Sequence, residues 1–185
     1  MGVLKRPRKK TRKDLGPLSE AKVQSLIAST ICDTHEMTVP NIGTLWQWES
    51  DLASVTRSDY AHDFEIKISR ADWLAERRKI AQAGRGNPKA NRDHMLRHAK
   101  AIEAEETNPK PRKTYVVPGK TSRMTKGAFY PPNYFWIVAP EGVVKDGELP
   151  DYAGLIEIRF DERFGVYDTI TRRKAPRLHG LKIAD

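Results

Sequence analysis

The chain has 185 residues, of which 38% are hydrophobic and 31% charged, a balance typical of a soluble globular protein. No apolar run approaches the roughly 18 residues that cross a bilayer, and the longest is Tyr134–Ala139. Cys32 is the only cysteine, which excludes an intramolecular disulfide and a cysteine-cluster zinc site and favours a reducing, cytoplasmic setting. The basic N-terminus lacks the apolar stretch of a secretory signal, so we expect neither export nor a membrane partner.

The formal net charge is +9, and the positive charge is concentrated in segments without acidic residues. Residues 1–13, 107–127 and 172–182 together hold more than half of the lysines and arginines, which leaves the rest of the chain net negative. Basic segments rich in Pro and Gly cannot bury a core, so we expect mobile arms. Cations that meet phosphates release condensed counterions, so the arms favour nucleic acid over a purely solubilising role. The candidate phosphate-binding residues are Lys5, Arg6, Arg8, Lys9, Lys10, Arg12, Lys113, Arg123 and Lys126.

Hydrophobic periodicity and turn residues predict the elements in chain order. We expect a helix over 17–32, a loop over 35–43, strands over 44–48, 52–56 and 60–68, helices over 70–82 and 91–106, and strands over 133–139, 154–160 and 164–170. Residues 60–68 alternate, so that Phe64 and Ile66 share one side and the charged residues between them share the other. The order α, β, β, β, α, α, β, β, followed by the strand over 164–170 that pairs with the one before it, predicts an α/β fold with a central mixed sheet flanked by helices.

The same features predict one domain with basic extensions. Residues 1–16 are expected to form a disordered basic tail, residues 17–170 the folded domain, and residues 171–185 a basic C-terminal tail. Within the domain, residues 107–128 are expected to form a basic arm, because a loop of that length without structure of its own is usually functional or disordered.

The segment from Asp51 to Lys67 contains the residue types that a metal-dependent phosphodiesterase needs. Mg²⁺ and Mn²⁺ prefer carboxylate oxygens, and a nearby cation assists the attacking water. Glu65 and Lys67 are two apart on a predicted strand and share a face, while Asp51 lies on a probable neighbour. Ile66 would point into the core, with its carbonyl still able to reach a metal. The same alternation is also typical of a solvent-exposed strand face.

The stretch HDFEIKISRADWLAE at 62–76 resembles the core of the PD-(D/E)XK nuclease superfamily, especially its small phage and bacterial members. PNYFWIVAPEGVV at 132–144 and PDYAGLIEI at 150–158 continue the likeness, which extends over about residues 17–160. The resemblance implies a restriction-endonuclease-like fold and Mg²⁺- or Mn²⁺-dependent cleavage of DNA or, less often, RNA.

The resemblance also implies a role for each residue that matches the family's motif. Asp51 would be the first metal ligand and Glu65 the second, with the carbonyl of Ile66 as a further ligand. Lys67 would orient the attacking water or stabilise the charge that develops on phosphate. Glu20 would match a glutamate that many relatives carry on their first helix.

Several positions leave alternatives open. Ser50 stands where the family's name has a proline. Because the strand register is not fixed by sequence, Glu49 or Asp63 could replace the first ligand. His94 and His98 are four apart on a predicted helix and could share a metal, but no third ligand is evident and a polar helix face explains them as well.

The expected function is a divalent-metal-dependent endonuclease that hydrolyses DNA phosphodiester bonds in phage or bacterial repair, recombination or processing. RNA as substrate and a homodimeric assembly stay open. One alternative is a non-catalytic nucleic-acid-binding accessory protein that retains the nuclease fold. Another is a regulator whose basic arms contact an acidic protein.

Overall fold

The structure, a computed structural model, describes residues 15–43, 46, 48–81, 88–107 and 131–182. Within these ranges the chain forms, in order, α1 (Glu20–Ile31), β1 (His35–Ile42), β2 (Ser50–Thr56), β3 (Ala61–Ile66), α2 (Arg70–Ala81), α3 (Pro88–Arg97), α4 (Ala99–Thr107), β4 (Tyr134–Pro140), β5 (Ala153–Asp161) and β6 (Val166–Arg173).

The described strands form one mixed sheet in the order β1-β2-β3-β4-β5-β6. β1, β2 and β3 make an antiparallel meander. β4 lies parallel to β3, and β5 parallel to β4, whereas β6 returns antiparallel to β5. The crossover between the parallel strands β3 and β4 contains α2, α3 and α4, as a parallel connection requires. The predicted α/β fold with a central mixed sheet and flanking helices is therefore confirmed.

The sheet separates two hydrophobic clusters. Val23 of α1 packs with Phe64 in one cluster. Trp73 of α2 and Leu96 of α3 pack with Phe135 in the other. Since neighbouring strand residues point to opposite faces, α1 covers one face of the sheet, and α2 and α3 cover the other.

The first strand corrects the prediction of a loop over 35–43. β1 spans His35–Ile42, and Pro40 lies opposite Leu52 of β2. Pro40 suggested a loop, but β1 is an edge strand, where a residue without a backbone N–H is tolerated.

The predicted strand over 44–48 is also wrong where it can be checked. Trp46 and Trp48 lie outside the strands, and β2 begins at Ser50; residues 44, 45 and 47 are not described. The two indole rings are buried and stacked, with centroids 5.9 Å apart. Their hydrophobicity reflects this packing rather than a place in the sheet.

The helix after β3 begins as predicted, but the one expected after it is divided in two. Ser69 Oγ accepts the backbone N–H of Asp72 at 3.2 Å, as expected for a residue that caps α2. The single helix expected over 91–106 is instead two helices that separate at His98. None of the helices in the described ranges is long and apolar enough to cross a membrane.

The segment after β6 is packed against the domain, which differs from the expected basic tail. Asn133, just before β4, binds this segment: its Nδ2 donates to the carbonyls of His179 and Leu181 at 3.1 and 2.7 Å. Its Oδ1 accepts the backbone N–H of Ala61 at 2.8 Å. Leu178 and His179 are buried. We call this set of contacts the Asn133 clamp; the other basic segments lie outside the described residues, apart from the backbone of residue 107.

Candidate active site

Glu65 and Lys67 lie side by side on the sheet face that α2 and α3 cover. Lys67 follows β3 directly, and its Nζ is 2.6 Å from Glu65 Oε1. Both side chains are less than a tenth exposed. The strand alternation therefore predicted correctly that Glu65 and Lys67 share a face of the sheet. That face is buried and not exposed to solvent.

Asp51 stands on β2 next to this pair. Leu52 of β2 lies opposite Phe64 of β3. Because the two strands are antiparallel, Asp51, one residue before Leu52, lies across from Glu65, one residue after Phe64. Asp51 Oδ2 accepts the backbone N–H of Ile66 at 2.7 Å. Burial, followed by the charge of Glu65, raises the pKa of Asp51 to about 7, even though the Ile66 N–H and Lys67 act in the opposite direction.

The first turn of α1 approaches the same place. Gln24 Nε2 lies 2.8 Å from the carbonyl oxygen of Asp51 and 3.2 Å from Glu20 Oε1. The charge of Glu20 also contributes to the raised pKa of Asp51. Glu20 itself is exposed. The helix thus brings Glu20 to the rim of the pair formed by Asp51 and Glu65.

Asp63 shares the face of Glu65 but both of its carboxylate oxygens are occupied. Ser50 Oγ donates to Oδ1 at 2.5 Å, and Trp48 Nε1 donates to Oδ2 at 2.8 Å. Asp63 is fully buried, and this burial raises its pKa to about 6 against the lowering effect of the Ser50 hydrogen bond. These contacts indicate a structural role for Asp63. They also show that the Ser50 hydroxyl is bonded to Asp63.

Two helices place a further ion-paired group beneath Glu65. Arg92 of α3 donates through one terminal nitrogen to Glu65 Oε2 and through the other to Glu76 Oε1 of α2, the latter at 2.5 Å. Lys67 Nζ is 3.7 Å from Glu76 Oε2. Arg92 is 1% exposed, and its guanidinium lies 5.0 Å from the Phe135 ring centroid. We call Glu65, Lys67, Glu76 and Arg92 the buried ion network.

Both cations of the network keep their charge at neutral pH. Burial by itself lowers the pKa of Lys67 and of Arg92. In each case the carboxylates of Glu65 and Glu76 outweigh burial, and the pKa is raised. Lys67 can therefore donate hydrogen bonds and stabilise negative charge, whereas it does not serve as a proton acceptor.

The structure places the other candidate residues elsewhere. Glu49 is exposed and precedes β2. Ile66 points its side chain into the cluster beneath α1. His94 and His98 are exposed with ring centroids 4.4 Å apart. The predicted phosphate-binding residues, which are Lys5, Arg6, Arg8, Lys9, Lys10, Arg12, Lys113, Arg123 and Lys126, lie outside the described residues.

Neither Glu76 nor Arg92 was among the site residues predicted from the sequence. Each lies on the buried side of its helix: Glu76 is three residues after the buried Trp73, and Arg92 is four residues before the buried Leu96. A charged residue in register with an apolar stripe is the signal that could have identified them. Their partnership with Glu65 depends on tertiary packing.

Asp51 and Glu65 have the oxygen donors that a divalent cation such as Mg²⁺ requires. Asp51 Oδ1 accepts no hydrogen bond from the described residues. No three His, Cys, Asp or Glu side chains among these residues are grouped to hold a metal ion. Mg²⁺ is commonly bound by one or two carboxylates, with waters and substrate phosphates completing its shell. The residues therefore fit a two-carboxylate site.

Neither a family model nor a curated protein matches this sequence. Among solved structures, the chain is similar to SPO1766, a protein of unknown function from Silicibacter pomeroyi. The two share 13% sequence identity, with a TM-score of 0.46 over 86% of this chain and 74% of that one. This similarity adds nothing about function.

Proposed function

We propose that the protein is a divalent-metal-dependent nuclease of the PD-(D/E)XK type that hydrolyses phosphodiester bonds in DNA. The observation that carries the proposal is the meeting of Asp51 and Glu65 on adjacent antiparallel strands, with the Lys67 ammonium 2.6 Å from Glu65. The mixed sheet with helices on both faces is compatible with the restriction-endonuclease-like fold that the sequence resemblance implies.

Each side chain has a role that follows from its charge and position. Asp51 and Glu65 would hold the cation between the ends of β2 and β3. When bound, Mg²⁺ or Mn²⁺ polarises a phosphate oxygen and lowers the pKa of a coordinated water. Lys67, which stays protonated, orients the water by hydrogen bonding or stabilises the negative charge that develops on the phosphate. Glu20 adds a carboxylate at the rim.

The proposal of a nucleic-acid substrate rests on charge. The chain is +9 overall, and the acid-free basic segments would bind phosphates without reading sequence. The carboxylates of the candidate site repel a phosphate backbone unless a divalent cation stands between them. Binding through the basic segments and cutting at the metal site are thus separable properties.

Cleavage of supercoiled plasmid and of labelled single-stranded, duplex and branched DNA with Mg²⁺ or Mn²⁺ tests the proposal. Glu65→Gln and Lys67→Gln should each lower the rate by at least about a hundredfold, because each removes a charge at the reacting phosphate. Glu49→Gln is the matched control: this carboxylate is exposed two residues before Asp51, and its loss should leave the rate unchanged. Equal cutting by wild type and Glu65→Gln contradicts the proposal.

A non-catalytic nucleic-acid-binding role is the second candidate. It is favoured by one observation: Lys67 contacts one oxygen of Glu65 and Arg92 the other, so the carboxylate is already neutralised. This role predicts DNA binding that is indifferent to Mg²⁺ and to Glu65→Gln. The two candidates are separated by the cleavage experiment, because a binding protein shifts DNA and leaves it intact.

A further inference from the structure

Arg92 is the most deeply buried basic side chain among the described residues. It lies in the interior at 1% exposure, and it neutralises two carboxylates that come from different elements, β3 and α2. Its Nε has no hydrogen-bond partner among the described residues. A buried ion pair is weak evidence for stability, since apolar side chains of similar size often serve a core equally well. The placement of Arg92 thus points to a functional role in setting the charge at Glu65.

We propose that Arg92 is the counter-ion of the candidate site and that it competes with a divalent cation for the Glu65 carboxylate. The inference rests on the metal site of the proposed function and deepens it. Without a divalent cation, the buried ion network is balanced: Glu65 and Glu76 are opposed by Lys67 and Arg92. A cation at Asp51 and Glu65 adds two positive charges beside this balanced set.

Glu76 keeps Arg92 ion-paired when a divalent cation takes its place at Glu65. The guanidinium contacts Glu76 at 2.5 Å through one nitrogen while its other nitrogen contacts Glu65. When Glu65 turns to a divalent cation, Arg92 keeps a buried carboxylate as its partner. A guanidinium can hold two carboxylates in this way because its donors lie in a rigid fork.

Competition makes opposite predictions for substitutions of Arg92 and of Glu76. Arg92→Gln removes the competing charge, so the site should bind a divalent cation more tightly. Glu76→Gln leaves Arg92 with Glu65 as its one carboxylate in the network, so Glu65 should be held more firmly and the cation bound more weakly. A purely structural role predicts that both substitutions loosen the site and weaken binding alike.

The test is a Mn²⁺ titration of the full chain, followed by thermal unfolding and by calorimetry, with the half-saturating Mn²⁺ concentration as the readout. We expect that concentration to fall at least tenfold in Arg92→Gln and to rise severalfold in Glu76→Gln. Leu96→Ala is the matched control: it truncates a buried side chain on the same helix, so it lowers the melting temperature and leaves half-saturation unchanged.

The outcomes separate this inference from the nuclease proposal. Metal-dependent cleavage with the same half-saturation in wild type and Arg92→Gln overturns the inference alone. Tighter Mn²⁺ binding by Arg92→Gln without cleavage by any variant supports the inference and overturns the nuclease proposal. Absence of Mn²⁺ binding in both proteins overturns the inference. If Arg92→Gln does not fold, Glu76→Gln decides. Unchanged or tighter Mn²⁺ binding by Glu76→Gln overturns competition. Weaker Mn²⁺ binding by Glu76→Gln, with the half-saturating concentration of Leu96→Ala equal to that of wild type, supports it.

Discussion

Asp51 Oδ2 accepts the backbone N–H of Ile66 at 2.7 Å, so a carboxylate of β2 is fixed at the residue that separates Glu65 from Lys67. The contact joins the two strands at the point where the charged side chains meet. It also holds a carboxylate in a place where burial and the charge of Glu65 disfavour its ionised form.

The first prediction is that Asp51→Asn stabilises the protein above neutral pH. The pKa of Asp51 is about 7 in the folded chain and near 3.8 when unfolded. Between these values the folded state holds a proton that the unfolded state has lost, so the contribution of Asp51 to stability falls as pH rises and is fully lost above pH 7. The asparagine oxygen can still accept the Ile66 N–H. We expect a gain on the order of a few kcal/mol at pH 8 and little change at pH 4.

Chemical denaturation of both proteins from pH 4 to pH 8 measures this difference. Asp63 titrates in the same direction with a pKa of about 6, but it is present in both proteins and cancels in the comparison. Glu49→Gln serves as the control because its side chain is exposed. A constant gap between wild type and Asp51→Asn across the range would show that Asp51 does not titrate there.

The second prediction concerns Ser50, whose hydroxyl donates to the buried Asp63 at 2.5 Å. Ser50→Ala should cost about 2 kcal/mol at pH 8, because a hydrogen bond to an ionised group is lost in the interior. The cost should be smaller at pH 5, where Asp63, with its pKa of about 6, is largely protonated.

Ser54→Ala is the matched control on the same strand. Ser54 Oγ is buried and has no hydrogen-bond partner in the part of the chain that the structure describes, so its removal should be neutral or slightly stabilising. Urea unfolding of both variants at the two pH values gives the comparison. Equal losses for Ser50→Ala and Ser54→Ala contradict the assignment of Ser50 to Asp63.

The third prediction is that Gly154→Ala strongly destabilises the domain. A Cβ at Gly154 would lie 2.4 Å from Trp136 Cε3 and 2.6 Å from the backbone nitrogen of Ala175. The indole and the backbone approach the glycine from two directions, so neither can yield without moving β4 or the segment after β6. We expect a loss of about 3 kcal/mol or more by thermal unfolding.

Gly43→Ala is the control for this substitution. A Cβ there meets none of the described residues within 4 Å, and the backbone does not adopt a positive φ. The added methyl group should therefore change the melting temperature very little. A comparable loss at both glycines would mean that close packing around Gly154 is not the cause.

The fourth prediction tests the basic N-terminal segment, which lies outside the described residues. Replacing Lys5, Lys9 and Lys10 with alanine should weaken DNA binding and reduce the steepness of its salt dependence by up to about three, since each phosphate contact contributes close to one. Fluorescence anisotropy at several salt concentrations measures the slope. Lys145→Ala, at an exposed lysine outside the basic segments, should leave the slope unchanged; an equally unchanged slope in the triple variant removes these lysines from DNA binding.

Local patterns predicted the part of the candidate site that belongs to a single stretch of extended chain. The alternation around Glu65 and Lys67 identified their shared face, because strand residues two apart are neighbours by geometry alone. The covering of that face by α2 and α3 could not be predicted, since Glu76 and Arg92 come from helices whose docking depends on the whole sheet. A charged strand face therefore looked solvent-exposed in the sequence and is buried in the structure.

The errors in the fold have a similar origin. Pro40 and Asn41 are residues typical of loops, but an edge strand lacks a hydrogen-bonded neighbour on one side and accommodates both. The basic composition of residues 171–185 suggested a tail, although Arg173 is the last residue of β6. Arg173 instead donates to the carbonyl of Ala153 at 2.9 Å, and Arg177 stacks over Tyr60 at 4.4 Å. Composition reports the charge of such a segment and not its contacts.

The Asn133 clamp also bears on when the domain can fold. Its Nδ2 reaches the carbonyls of His179 and Leu181, and its Oδ1 holds Ala61, which is 72 positions earlier in the chain. During synthesis, the ribosome releases β3 and β4 well before residues 178–181. The start of the parallel pair thus waits for these later residues to complete its hydrogen bonds. The hydrogen bonds of the clamp therefore form only after residues 178–181 have left the ribosome, and a stall before residue 178 leaves that end of the parallel pair without them.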